Sequence, residues 1–80
     1  MSKEYYKKRL VDLRAEIARE REAKKRDNAN YASLIKNASS TSTKATYRKN
    51  KIDKAAAHDR RIEYLKNEVE RTRDALKRCK

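Results

Sequence analysis

Apolar positions toward the end of the chain obey one spacing. Ile62, Leu65, Val69, Thr72, Leu76 and Cys79 recur at alternating steps of three and four, and the intervening positions are mostly charged, among them Glu63, Lys66, Glu68, Glu70, Arg73 and Lys77. This is the a/d seam of a coiled coil, a narrow stripe that a helix turns toward a partner helix. Near the start of the chain Tyr6, Leu10, Leu13 and Ile17 repeat the pattern. The same phase continues through Glu20, Lys24 and Asp27, then regains Tyr31 and Leu34, with Ile35 beside it. Ala18, Ala23, Ala29 and Ala32 keep helix propensity high through that polar middle. The pattern predicts a first helix over about residues 3–36, with Ser2 as its cap and Glu4 against its positive end. A second helix is predicted over about residues 44–79.

Residues 37–43 separate the two, and five consecutive Ser and Thr fill most of that stretch. Such residues bond to nearby backbone and favour turns and caps. Asn37 is the expected left-handed residue closing the first helix, and Ser42 or Thr43 the expected cap of the second. Two helices of similar length on a short connection predict an all-α fold, a single antiparallel coiled-coil hairpin over residues 1–80. A turn centred near Ser40 places Leu10 near Thr72, Leu13 near Val69, Ile17 near Leu65 and Leu34 near Tyr47. In the polar middle it sets Glu20 against Arg61 and Asp27 against Lys54, and brings Lys24 close to His58 and Asp59. Polar residues in a seam cost stability and fix register.

Composition narrows this further. The 80 residues contain neither glycine nor proline, no Trp or Phe, 36% hydrophobic and 45% charged residues. No thick globular core is available from these residues, which match long helices instead. Leu10, Leu13, Ile17, Ile62, Leu65, Val69 and Leu76 form the expected partner-binding seam. Tyr5, Val11, Ile35, Ile52, Tyr64 and Ala75 lie outside it and widen the apolar surface. A further helix, from another protein or a second copy of this chain, is expected to complete the bundle.

With 24 basic and 12 acidic residues the net charge is +12, which favours an anionic partner: nucleic acid, a membrane surface or an acidic protein. The charge is spread widely enough to serve solubility as well. Its densest group, Lys44, Arg48, Lys49, Lys51 and Lys54, follows the turn with only Asp53 against it. Beside Tyr47 it is the candidate anion-binding patch, since cations fix phosphates and an aromatic ring stacks on bases.

Catalytic chemistry finds no constellation in the sequence. His58 is the only histidine, and its neighbours on one helix face are Lys51, Lys54, Ala55, Arg61 and Ile62. No second ligand stands at metal-binding spacing, and without glycine no loop cradles a phosphate. Cys79 sits among cations that lower a thiol's pKa, yet it lacks a base and falls on the seam. The expectation is a protein with no catalytic, metal or cofactor site. No apolar run approaches the roughly 20 residues of a membrane span. No signal-peptide pattern is visible either, so the expected location is the cytoplasm, with any export proceeding without a cleaved signal.

Tyr64-Leu65-Lys66-Asn67-Glu68 places a tyrosine one helical turn before a glutamate. A Tyr-x-x-x-Asp/Glu element near the C-terminal end of a small helical hairpin resembles proteins exported by type VII secretion systems. The opening Glu4-Tyr5-Tyr6-Lys7-Lys8, followed by an Ile/Leu-spaced helix, is similar to the small partners encoded with LXG toxins. The Trp-x-Gly turn of the WXG-type proteins has no counterpart, because the chain lacks both residues. The resemblance implies a hairpin that packs on a toxin's N-terminal helical domain and targets it for export, with Tyr64 and Glu68 as the export signal. Two functions therefore stand as expectations: a non-enzymatic helix-binding adaptor in type VII secretion, and a basic hairpin that binds nucleic acid or a nucleoprotein complex.

Overall fold

Ser2 begins the first helix as expected, its Oγ accepting a hydrogen bond from the Tyr5 N–H at 3.3 Å. In the computed structural model, which describes residues 2–79, this helix (α1) spans Lys3–Asn37 and a second (α2) spans Thr41–Arg78. The two pack on one another as an all-α helical hairpin, and no strand occurs among the described residues.

The connection is tighter than the Ser/Thr run suggested. Asn37 is still helical, and Ala38 ends α1 in an extended conformation, its N–H bonded to the Ile35 carbonyl at 3.4 Å. No described residue has positive φ, so the left-handed closure expected at Asn37 is not used. Ser40, rather than Ser42 or Thr43, caps α2. Its Oγ accepts from the Thr43 N–H at 3.1 Å and donates to Thr43 Oγ1 at 2.7 Å. Thr41, Ser42 and Thr43 thus form the first turn of α2, where backbone N–H groups have no helical acceptor and Ser/Thr side chains do least harm.

The core occupies the half of the hairpin away from the turn. Leu13 and Leu65 are 1% and 2% exposed, and with Ile17 and Ile62 they form one cluster against which Val69 packs. Leu10 is buried beyond them, as is Thr72, whose hydroxyl donates to the Glu68 carbonyl at 2.8 Å. That local bond satisfies the only polar atom Thr72 brings to the seam. Leu76 is half-buried. Toward the turn no described residue is fully buried.

Leu34 departs from the expected seam. It is 43% exposed, while Ile35 is half-buried. A straight α-helix drifts ~20° per heptad against a strict seven-residue repeat. Four heptads from Tyr6, that drift amounts to nearly one residue, and it hands the inward position from Leu34 to Ile35. The molecule is a rod, with principal extents of 62 × 14 × 12 Å. Its radius of gyration is 18.1 Å, against about 12 Å for a globular chain of this length. Among the described residues no helix is long and apolar enough to cross a membrane.

Candidate functional site

Where the apolar core stops, the seam turns polar around His58. Its side chain is only 15% exposed, and two carboxylates of α1 reach it from across the hairpin. Nδ1 lies 2.9 Å from Glu20 Oε1, and Nε2 lies 2.6 Å from Asp27 Oδ2. Glu20 and Asp27 are one heptad apart on α1, so they straddle the ring from either side along the seam. An ionised carboxylate only accepts hydrogen bonds. With an acceptor at each nitrogen, the site favours the imidazolium form of His58, in which both nitrogens donate. The hydrogen bonds to Asp27 and then Glu20 hold its pKa above the ordinary histidine value. Asp27 is held below the usual carboxylate value, chiefly by the hydrogen bond from His58.

Two further ion pairs flank this layer. Lys24 Nζ meets Asp59 Oδ1 at 2.6 Å, as the expected register places them. Arg61 Nη2 lies 3.5 Å from Glu16 Oε2 rather than beside Glu20. Glu20 and Asp27, expected opposite Arg61 and Lys54, both turn to His58 instead. The ring offers a nitrogen toward each of them from a half-buried position. This layer holds two helices in register, and because the carboxylates bind different nitrogens on opposite edges, no cation-sized vertex lies between them. Among the described residues no group of three or more ligating side chains is arranged for a metal ion.

The seam residues expected to bind a partner are largely used within the hairpin. Leu10, Leu13, Ile17, Ile62 and Leu65 are buried, and Val69 and Leu76 half-buried, so what stays open is the flank beside them. One open hollow of about 500 Å³ exposes edges of Ile17 and Val69 between Arg14 and Arg21 on α1 and Lys66 and Arg73 on α2. Glu63 and Glu70 also line it. A second hollow, of about 400 Å³, lies nearer the turn and is lined by Asn28, Ile35, Arg48, Lys51, Ile52 and Ala55. Ile52 is 67% exposed there. Sequence reasoning missed this cationic flank. Its signal was present in the heptad positions next to the seam, where Arg14, Arg21, Lys66 and Arg73 all fall.

The five-residue patch after the turn borders more than one hollow. Arg48 and Lys51 line the hollow just described, whereas Lys54 lines a separate one with Tyr31, Asn50 and Asp53. Lys49 is exposed and Lys44 half-buried, and Tyr47 is half-buried rather than presented for stacking. Tyr64 and Glu68 do lie one turn apart on α2. The Arg61 guanidinium sits 5.3 Å above the half-exposed Tyr64 ring, and Glu68, mostly covered, meets Arg71 at 3.2 Å. At the open end of the hairpin Cys79 shares a shallow hollow with Tyr6, Ala75 and Arg78.

Compared with protein-family models, curated proteins and solved structures, the chain matches none.

Proposed function

We infer that this hairpin is a non-enzymatic adaptor that binds other helices. The observation that carries the reading is the open flank: Ile52 stands two-thirds exposed beside half-buried Ile35 and Ala55, in a hairpin whose own seam is already filled. A helix laid there would bury this apolar edge and thicken a core that now rests on five apolar side chains. In its specific form, the adaptor is a targeting partner of an LXG-type effector in type VII secretion, with Tyr64 and Glu68 as the element read by the export machinery. The exposure of Tyr64 on α2, one turn before Glu68, supports this role. The nucleic-acid reading has less support, because Tyr47 beside its basic patch is half-buried rather than presented for stacking on a base.

The test is affinity capture of the tagged protein and its partner from native cells, together with an export assay. Ile52→Asp should lose the partner while the hairpin keeps its helicity, since an exposed substitution usually changes stability by less than ~0.5 kcal/mol. Tyr64→Ala with Glu68→Ala should leave the complex intact and abolish export of the bound cargo. An unchanged complex with Ile52→Asp would count against helix docking on this flank. Normal export by the double variant would remove the secretion role and leave helix binding in place.

A further inference from the structure

Resting on the helix-binding reading, the identity of the bound helix follows from the charge of the flank that receives it. Arg14, Arg21, Asn28 and Ile35 succeed one another by heptads on α1, as Ile52, Asp59, Lys66 and Arg73 do on α2. Residues at one heptad position stay on one side of a helix while drifting by ~20° per heptad, here toward the seam, so that exposed Arg14 gives way to half-buried Ile35. The two hollows are therefore parts of a single flank, bridged midway by the Lys24–Asp59 pair. Its floor is apolar at the two ends, at Ile17 and Val69 and at Ile35 and Ile52, and polar between them; along its rims cations outnumber the two carboxylates, Glu63 and Glu70. Among the described residues no carboxylate lies within ion-pairing distance of Arg14, Arg21 or Lys66, so three charges beside a desolvable groove are uncompensated.

We propose that this flank binds an acidic amphipathic helix of another protein, which lies along both hollows and completes a three-helix bundle. Its apolar stripe covers Ile17, Val69, Ile35 and Ile52, and Glu or Asp on the positions beside that stripe meets Arg14, Arg21, Lys66 and Arg73. The span from Arg14 to Ile35 is about 30 Å at 1.5 Å per residue, so a partner helix of about 20–25 residues matches it. A second copy of this chain is a poor occupant. It carries the same +12 charge and would set its own cationic rims against these. A polynucleotide fits less well also. No aromatic side chain lines either hollow to stack on a base, and a polynucleotide has no apolar stripe to cover the exposed Ile52. For a helix with an apolar stripe, the same wall supplies both a floor and a charge pattern.

The experiment uses the full chain and three synthetic amphipathic helices of about 25 residues. All three share one Leu stripe; the residues flanking it are Glu in one, Gln in the second and Lys in the third. Binding is read by fluorescence anisotropy at about 0.15 M salt, where contacts beyond ~8 Å are screened. The Glu peptide should bind on the order of tenfold more tightly than the Gln peptide, and the Lys peptide weakest of all. In an Arg21→Glu, Lys66→Glu chain the order of the Glu and Lys peptides should invert. That inversion requires direct contact, and an unchanged circular-dichroism melt would show the fold intact. Equal binding of the three peptides would overturn the acidic assignment while leaving helix binding standing. Binding of none of them by the folded chain would overturn the proposal at this flank. A short DNA duplex that bound more tightly than the Glu peptide, with affinity falling steeply in salt, would replace the acidic helix by a polyanion.

Discussion

His58 links the stability of the hairpin to pH, and the sign follows from the two shifts. Its folded pKa lies above the ordinary 6.5, so its contribution is complete below 6.5 and is lost as pH rises through the folded value. Asp27 is shifted the other way: its contribution is complete above 3.8 and is lost as pH falls through its lowered folded value. Both contributions are present together between 3.8 and 6.5. The melting temperature should therefore peak in mildly acidic buffer and decline from about pH 6 to pH 9, where few other groups of the chain titrate. In His58→Gln that decline should vanish; a wild-type profile flat across the same range would contradict the assignment. Lys24–Asp59 was legible in the sequence, because a register fixed by the seam puts those two side by side. The histidine layer was not. The charged neighbours of His58 on its face of α2 are cations, and its two partners come from α1 at positions that straddle it, where the simple register pairs each with another residue.

At the scale of the helices, the seam and the caps carry different weights. Leu13 is the most deeply buried side chain, and Leu13→Ala should cost about 2–5 kcal/mol. Leu34→Ala, at an exposed site, should stay within ~0.5 kcal/mol although both leucines share one phase in the sequence. In the turn, Ser40→Ala should cost about 1 kcal/mol and Ser42→Ala little, because only Ser40 holds the Thr43 N–H. Chemical denaturation of the four variants gives the order directly. Equal costs for Leu13 and Leu34 would mean that the seam does not drift. The helices themselves could be read from periodicity, since three- and four-residue steps admit no strand. The cap could not, because five adjacent Ser and Thr offer the same chemistry, and only the packing of α2 decides which oxygen stands at its first turn. Leu34 was misplaced for a related reason: a heptad template ignores the mismatch between 3.5 and 3.6 residues per turn, which accumulates only over long helices.

For the whole molecule the balance of charge decides the response to salt. Twice as many basic as acidic residues cover a rod only 14 × 12 Å across its axis, so most charges lie within a Debye length or two of like charges. Half of the eight ion pairs among the described residues join helical neighbours, and exposed pairs of that kind are worth no more than ~0.2–1 kcal/mol each. Repulsion should dominate, and the melting temperature of the isolated chain should rise between about 0.02 and 0.5 M sodium chloride as that repulsion is screened. A falling melting temperature would mean that the cross-hairpin pairs outweigh it. The architecture was visible in the sequence because absent glycine and proline left little else to build. The cationic flank was obscured because, in one dimension, its residues are scattered among acidic ones and assemble only when two helices lie side by side.

The position of the apolar cluster also sets the order in which the chain acquires its structure. A hairpin ordinarily zips from its turn, where the loop to be closed is shortest and the entropy lost on closing it least. Here the residues beside the turn offer almost no apolar reward, and the cluster residues nearest to it, Ile17 and Ile62, lie roughly 45 residues apart. Closing that loop rather than one of about 10 residues loses about 1.3 kcal/mol more of chain entropy, close to a tenfold slowing. The chain must therefore bring its two ends together before its middle, and a helix that arrives at the flank while they are still apart meets two separate helices rather than a finished groove.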